Sequence, residues 1–445
     1  MPAVVAFRGL HYAIDRFAMA EVPERVRLPW EEAVASARVA DLTDLACPPY
    51  DVIAPSATDE LLARHERNAV RLELNPGPDP HAAAAETLAA WRADGTLERR
   101  DEATLYAYSY ARGGRDDEPA VRGVLARVLL EGWGAGVRPH EHTMPGPKAD
   151  RLALLRATRT QLSPILAIYF DRSAGSADLD APAPADEWRA RDGDGLVHRL
   201  VAMEARDDLA AYLGRQTLFV ADGHHRYETA LAYREEARSQ PGMADARPGE
   251  LAADWMMMVL VNAARERLDI LPTHRVVLDA DHAAVRSIVA DPRFDAIPMA
   301  AADLPGALEA RRDAPEPTFG LVMPGDEGFL LVGDADAIGD RMRREPASPA
   351  VRRLDLAVLH TLILGDRLGI DSEAVAAGER LLYTREAADA LARVRKADAS
   401  AAFLVRPTRL EQLAAVANAG DPMPQKSTYF HPKLLTGLVF NPLED

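Results

Sequence analysis

The sequence predicts a mixed α/β fold of the α+β type, and three observations carry that prediction. Short apolar runs of strand character alternate with helical stretches through the first half of the chain. An apolar strand, a tight Asp-Gly turn and a helix follow one another across residues 217–237. From about residue 280 the order changes to helices set around a hairpin. At 445 residues, 48% of them hydrophobic, the composition is globular. A prior of roughly 150 residues per domain suggests two or three domains.

Taken in order, Pro-rich loops and one helix fill the first hundred residues. That helix, His81–Asp94, is stopped by Gly95. Thr104–Tyr110 alternates polar and apolar residues, Gly113–Asp117 turns and Ala120–Leu130 returns, which predicts a hairpin. Arg138–Asp150 holds three prolines without periodicity and is expected to be loop. Asp150 would then cap a helix over Arg151–Arg159. Strands are expected at Pro164–Asp171, Leu196–Glu204 and Thr217–Ala221, with an exposed connection over Gly175–Glu187. Tyr227–Ala237 puts Tyr227, Ala230, Leu231 and Arg234 on one helical face, and Trp255–Asn262 reads as a buried strand.

Further on come helix His282–Ala290, hairpin Phe319–Met323 with Phe329–Gly333, and an apolar helix Leu354–Leu368. A helix near Glu386–Val394, a strand Ala402–Val405 and a helix Leu410–Ala419 closed by Gly420 follow, and Met423–Leu435 is expected to be loop. The expected division is a main domain over 1–275, an α+β domain over 276–420, and a segment 421–445 returning to the site.

With 69 acidic against 52 basic side chains, the formal net charge is −17. Such a surface repels phosphate backbones and anionic lipid, and no basic run offsets it. The expectation is a small-molecule substrate, with no nucleic acid and no membrane, and with the oligomeric state left open. A single cysteine, Cys47, allows no intrachain disulfide and fits a reducing compartment. The apolar core of the first residues is too short for a signal peptide, and Trp255–Val261 is too short to span a bilayer. A soluble cytoplasmic protein is expected. The four lysines, Lys148, Lys396, Lys426 and Lys433, stand out in an arginine-rich chain. Lysine among so many arginines suggests a need for its compact, mobile ammonium.

Four segments could carry chemistry. In Asp222-Gly223-His224-His225-Arg226, the glycine lets a ligand approach the backbone, and the helix that follows offers free N–H groups and a positive dipole end. Cations there are unfavourable unless an anion such as phosphate joins them. The plainer alternative makes Asp222 an N-cap and leaves the His and Arg side chains solvated. In His140-Glu141-His142, an extended chain would put the two histidines on one side and Glu141 on the other. This segment could hold a metal, or Glu141 could act as a base while Lys148 and Arg151 hold phosphate; zinc spacing is absent. A charged surface loop is the alternative.

Lys426-Ser427-Thr428 lacks the glycines of a Walker A loop, yet a lysine beside two hydroxyls can bind phosphate. Pro48-Pro49 fixes an extended chain that presents Tyr50 and Asp51, and Asp51 could be a base or a magnesium ligand. Cys47 has no activating base beside it. Thr273-His274-Arg275, between two strands, is a weaker candidate, since a histidine at such a place is more often structural than catalytic.

Together, Pro48–Ile53, His140–Thr143 with Lys148–Leu152, Ala221–Arg226 and Met423–Leu438 resemble the domain-of-unknown-function 1015 family over nearly the whole chain. Asp222–Arg226 also resembles the Asp-Gly-x-His-Arg phosphate-binding motif of the ParB/sulfiredoxin superfamily, which includes free-serine kinases. That second resemblance implies a ParB/sulfiredoxin-like phosphate-binding core and a small-molecule kinase. The donor would be ATP, ADP or pyrophosphate, and the acceptor a small alcohol such as L-serine. His224 stands where sulfiredoxins carry their catalytic cysteine, which argues against their chemistry.

In this reading Asp222, Gly223, His224, His225 and Arg226 form the phosphate site. Lys148, Arg151 and Lys426, with Ser427 and Thr428, neutralise the moving phosphoryl group. Asp51 or Glu141 takes the hydroxyl proton, and Mg²⁺ is held by Asp222 or one of those carboxylates. The alternatives are a metal-dependent phosphohydrolase, with His140 and His142 as further metal ligands, and a nucleotide sensor without turnover.

Overall fold

The fold is mixed α/β. The computed structural model describes residues 2–19, 38–112, 121–141, 145–173, 186–203, 206–371, 374–375 and 380–444. They form two units. The first comprises Met1–Arg138, Thr143–Leu268 and Pro432–Asp445, and the second comprises Pro139–His142 and Asp269–His431.

In the first unit, the apolar run Trp255–Asn262 becomes a central strand because Met256 to Asn262 are buried. It pairs antiparallel with Val121–Leu129 and parallel with Ile165–Tyr169. Beyond Ile165–Tyr169 lie Leu218–Asp222 and then Val137–Arg138. Beyond Val121–Leu129 the ten-stranded sheet continues through Tyr106–Arg112, Leu196–Ala202, Asp186–Arg191 and Arg38–Asp41. Helix His224–Arg238 lays Tyr227 and Ala230 onto this sheet, against a core that includes Ile165, Ala167, Val220 and Met258. Each such large side chain stabilises the fold by roughly 1.5–3 kcal/mol. Helix Pro145–Thr158 packs against His224–Arg238 and against Pro80–Ala93.

The second unit is built on a six-stranded antiparallel sheet. Its order is Phe294–Ala300, Glu327–Gly333, Thr318–Met323, Ala401–Val405, His274–Val277 and Leu381–Thr384. Helices Leu304–Ala310 and Ala387–Arg395 contribute to a core with Val276, Val322, Ala402 and Leu404.

Several expectations change. The segment expected to be loop up to Asp150 is helical from Pro145. Prolines fit a first helical turn, where no N–H is needed. Asp150 is therefore inside the helix and bonds Arg151 and His81 instead of capping. Helix His224–Arg238 starts three residues before the expected Tyr227, so the motif's histidines and arginine form its first turn. Leu354–Leu368 is a short helix, Asp355–Val358, followed by a wider π segment, Leu359–Gly365. Asp186 and Glu187, expected in an exposed connection, are buried in a strand and paired with Arg100 and Arg199. The expected C-terminal loop contains strand Tyr429–His431, which pairs with Asp269–Leu271. His142, residues 113–117 and most of the 175–187 connection lie outside the described residues. Among the described residues, no helix is long and apolar enough to cross a membrane.

Candidate functional site

Strand Leu218–Asp222 carries the motif to one end of the first unit's sheet. Its pairing with Ile165–Tyr169 shifts register between Val220 and Asp222. Such an irregularity re-aims the side chain that follows it. Gly223 then turns the chain with φ 97° and ψ 29°, in the left-handed region. A Cβ there would also meet Ile165 Cγ1 and Arg226 Nε, each at 3.0 Å. A fifteen-residue helix begins at the next residue. Asp222 does not cap it. Its Oδ2 accepts from Arg226 Nη2 at 2.7 Å, and its Oδ1 accepts from Lys433 Nζ.

One carboxylate thus serves two cations. Burial pushes the Asp222 carboxyl pKa up, but Lys433 and Arg226 outweigh burial and hold it well below the usual carboxylate range. Arg226 is 10% exposed and also donates from Nη1 to Pro164 O at 2.5 Å. Burial disfavours its charge, yet Asp222, Asp51, Tyr50 and Glu73 more than restore it. Asp51, in the turn Tyr50–Val52, is exposed and lies within the electrostatic reach of Arg226.

Beside this pair stands a second one. Arg151 donates from Nη1 to Glu73 Oε2 at 3.0 Å and from Nε to Asp150 Oδ2 at 2.8 Å, with its guanidinium 4.2 Å from the Tyr50 ring centre. Glu73 Oε1 in turn accepts from the Ser163 hydroxyl, and Ser163 shares a 2.6 Å bond with Thr436. Burial, with Asp51 nearby, pushes the Tyr50 hydroxyl up to about 12. Lys148 is ion-paired with Glu228 of the motif helix. A cavity of about 50 Å³ lies among Tyr50, Glu73, Arg151, Ser163, Arg226 and Thr229.

The other predicted residues lie in the second unit. His140 is fully buried, its Nε2 2.7 Å from Thr428 Oγ1, while its carbonyl accepts from Met423 N at 2.8 Å. Glu141 accepts the backbone N–H of Lys426, which adopts φ 55°. Arg275, also fully buried, donates to the carbonyls of Gln425 at 2.8 Å and Lys426 at 3.2 Å. Ser427 donates to Pro424 O and accepts from Thr408 at 2.8 Å. Glu141 therefore anchors the lysine loop. His274 accepts from Val405 N of the neighbouring strand Ala401–Val405 at 3.2 Å, and burial lowers its pKa to about 4, so it is neutral.

The first unit brings together Asp51, Arg151, Asp222, Gly223 and Arg226; the second brings together His140, Glu141, Lys426, Ser427 and Thr428. Among the described residues, no three His, Cys, Asp or Glu side chains gather as a metal cage. Sequence reasoning missed Glu73, Ser163, Thr436 and Arg275 as members of these clusters. Lys433 had a signal, being one of four lysines, but no role was assigned to it.

A comparison with curated proteins gives no match. Solved structures do match. One is a free serine kinase variant in complex with AMP, at 12% identity and a TM-score of 0.34, covering 66% of this chain and 84% of that one. A conserved hypothetical protein from Pyrococcus furiosus matches at 14% and 0.34, covering 67% and 89%. SbnI with a C-terminal truncation, from Staphylococcus aureus, matches at 12% and 0.35, covering 70% and 85%. A family model described as a protein of unknown function, DUF1015, matches residues 28–357, and the chain belongs to that family.

Proposed function

We propose that the protein is a small-molecule kinase, moving a phosphoryl group from a nucleotide or pyrophosphate to a small alcohol such as L-serine. One observation carries this reading. Two cations, Arg226 and Lys433, share the single carboxylate of Asp222 beside the start of a fifteen-residue helix. With Arg151 beside them, these cations face the carboxylates of Asp222, Asp51 and Glu73, and the helix end adds roughly half a positive charge. An anionic phosphate completes that arrangement.

Phosphoryl transfer depends on positioning and charge neutralisation. The acceptor oxygen forms a bond to the donor's terminal phosphorus, and the bond to the rest of the donor breaks, its electron pair leaving with that fragment. The hydroxyl proton passes to a carboxylate, for which exposed Asp51 is suited in the first unit. Magnesium would enter with the donor. Both Asp222 oxygens are taken by cations, so Asp51 is the carboxylate of this cluster that would hold such an ion beside the donor. When bound, it would neutralise phosphate charge.

The test is an assay of the purified protein with Mg²⁺, pairing ATP, ADP and pyrophosphate with amino-acid and sugar alcohols. Phosphoserine from one donor is the expected product. Free phosphate without any phosphorylated acceptor would replace the kinase with a phosphohydrolase. Arg226→Ala should lose about 100-fold or more in turnover. Near-normal turnover in that variant, with its melting curve recorded alongside, would remove Arg226 from the site.

A further inference from the structure

We propose that the cavity beside Arg226 is the acceptor subsite and that Thr229 selects what enters it; this rests on the kinase reading of the same site. Arg226, Thr229 and Ala230 stand at i, i+3 and i+4 of the motif helix, so they share one face. All three line the cavity. Leu154, Leu155, Leu162 and Met256 make much of the remaining lining apolar.

Thr229 is 4% exposed, and its hydroxyl has no hydrogen-bond partner among the described residues. A buried hydroxyl left unpaired is costly, and most are satisfied in folded proteins. Here the group lines a space of about 50 Å³. A water-sized occupant needs roughly 10–15 Å³ on this measure, so the cavity takes about four waters, on the order of 120 Å³ at roughly 30 Å³ each in the liquid. That suits a hydroxy amino acid or hydroxy acid with a compact carbon body. A sugar or nucleoside is too large, and its several hydroxyls would face leucine and methionine unpaired.

Location agrees with size. Arg226 belongs both to the cavity and to the anion site, and Thr229 lies about one helical turn, roughly 5 Å of rise, beyond it. An acceptor held by Thr229 would therefore sit beside the donor phosphate. The Arg151–Glu73 pair, which also lines the cavity, is suited to the carboxylate and ammonium of an amino acid.

Titration calorimetry on the full chain, with L-serine, D-glycerate, glucose and ADP as probes, tests this. Serine should bind the wild type, and Thr229→Val, a near-isosteric change, should weaken it about tenfold while leaving ADP binding unchanged. Leu155→Ala should admit the longer homoserine. Unchanged serine affinity in Thr229→Val, glucose binding in preference to serine, or no binding of either small acid overturns the subsite. Phosphoserine formed by Thr229→Val with the wild-type KM also overturns it, yet leaves the kinase reading intact. Thr229-dependent serine binding without phosphoserine from any donor keeps the subsite and removes the kinase reading.

Discussion

At the scale of single residues, the site turns on how Asp222 divides one negative charge between Lys433 and Arg226. Its carboxyl is held below the usual range in the folded protein, whereas in the unfolded chain it titrates near 4. A depressed folded pKa contributes stability that is fully present above about pH 4 and is lost as pH falls through the folded value. Lys433→Met removes one of the two cations, so the folded carboxyl pKa should rise. Stability should drop by about 1–3 kcal/mol at neutral pH, and acid unfolding should begin at a higher pH. Urea midpoints between pH 3 and 7 read this out, and parallel curves for variant and wild type would sink it.

Asp51 invites a second substitution. Asn at this position keeps an oxygen for a metal but cannot take a proton. If Asp51 is the base, Asp51→Asn should lower turnover by about 100-fold at every Mg²⁺ concentration. Recovery of turnover at high Mg²⁺ would make it a ligand instead.

At the scale of elements, strand, irregular pairing, left-handed glycine and helix form one device. Gly223→Ala meets two penalties together: a positive φ, and a Cβ pressed against Ile165 and the Arg226 guanidinium. We expect a loss of about 1–3 kcal/mol in unfolding free energy, together with weaker nucleotide binding. A variant as stable as wild type would mean that the turn relaxes at little cost. This element was legible in the sequence because Asp-Gly after an apolar run is local chemistry. Helix Leu410–Ala419 and its Gly420 stop were legible for the same reason, as was the buried strand Trp255–Asn262. Local chemistry misled at Pro145, where proline, tolerated in a first helical turn, looked like loop. Glu73 and Lys433 were not legible as site members. Their partners lie 78 to 363 residues away, and pairing at that separation leaves no local pattern.

At the scale of the whole molecule, the last fourteen residues of the chain, Pro432–Asp445, belong to the first unit, whose other segments end at Leu268. They are woven in along their length. Thr436 exchanges backbone bonds with Cys47 at 2.9 and 3.1 Å, and Phe440 does the same with Leu10 at 2.9 and 3.0 Å. Asn441–Pro442 pairs with Thr160–Gln161, and Glu444 accepts from Nη1 and Nη2 of Arg92. Leu434, Leu435, Leu438, Val439, Phe440 and Leu443 are buried. Six such side chains represent a gross burial term on the order of 10 kcal/mol, as large as the entire net stability of an ordinary domain. Ending the chain after His431 should therefore unfold the first unit, although every strand of its ten-stranded sheet is still encoded. The second unit keeps all of its own segments. Hydrogen exchange on the truncated protein should show Trp255–Asn262 and Val121–Leu129 losing protection while Thr318–Met323 and Ala401–Val405 keep theirs. Protection retained in Trp255–Asn262 would mean that the returning segment completes the site through Lys433 without holding the fold.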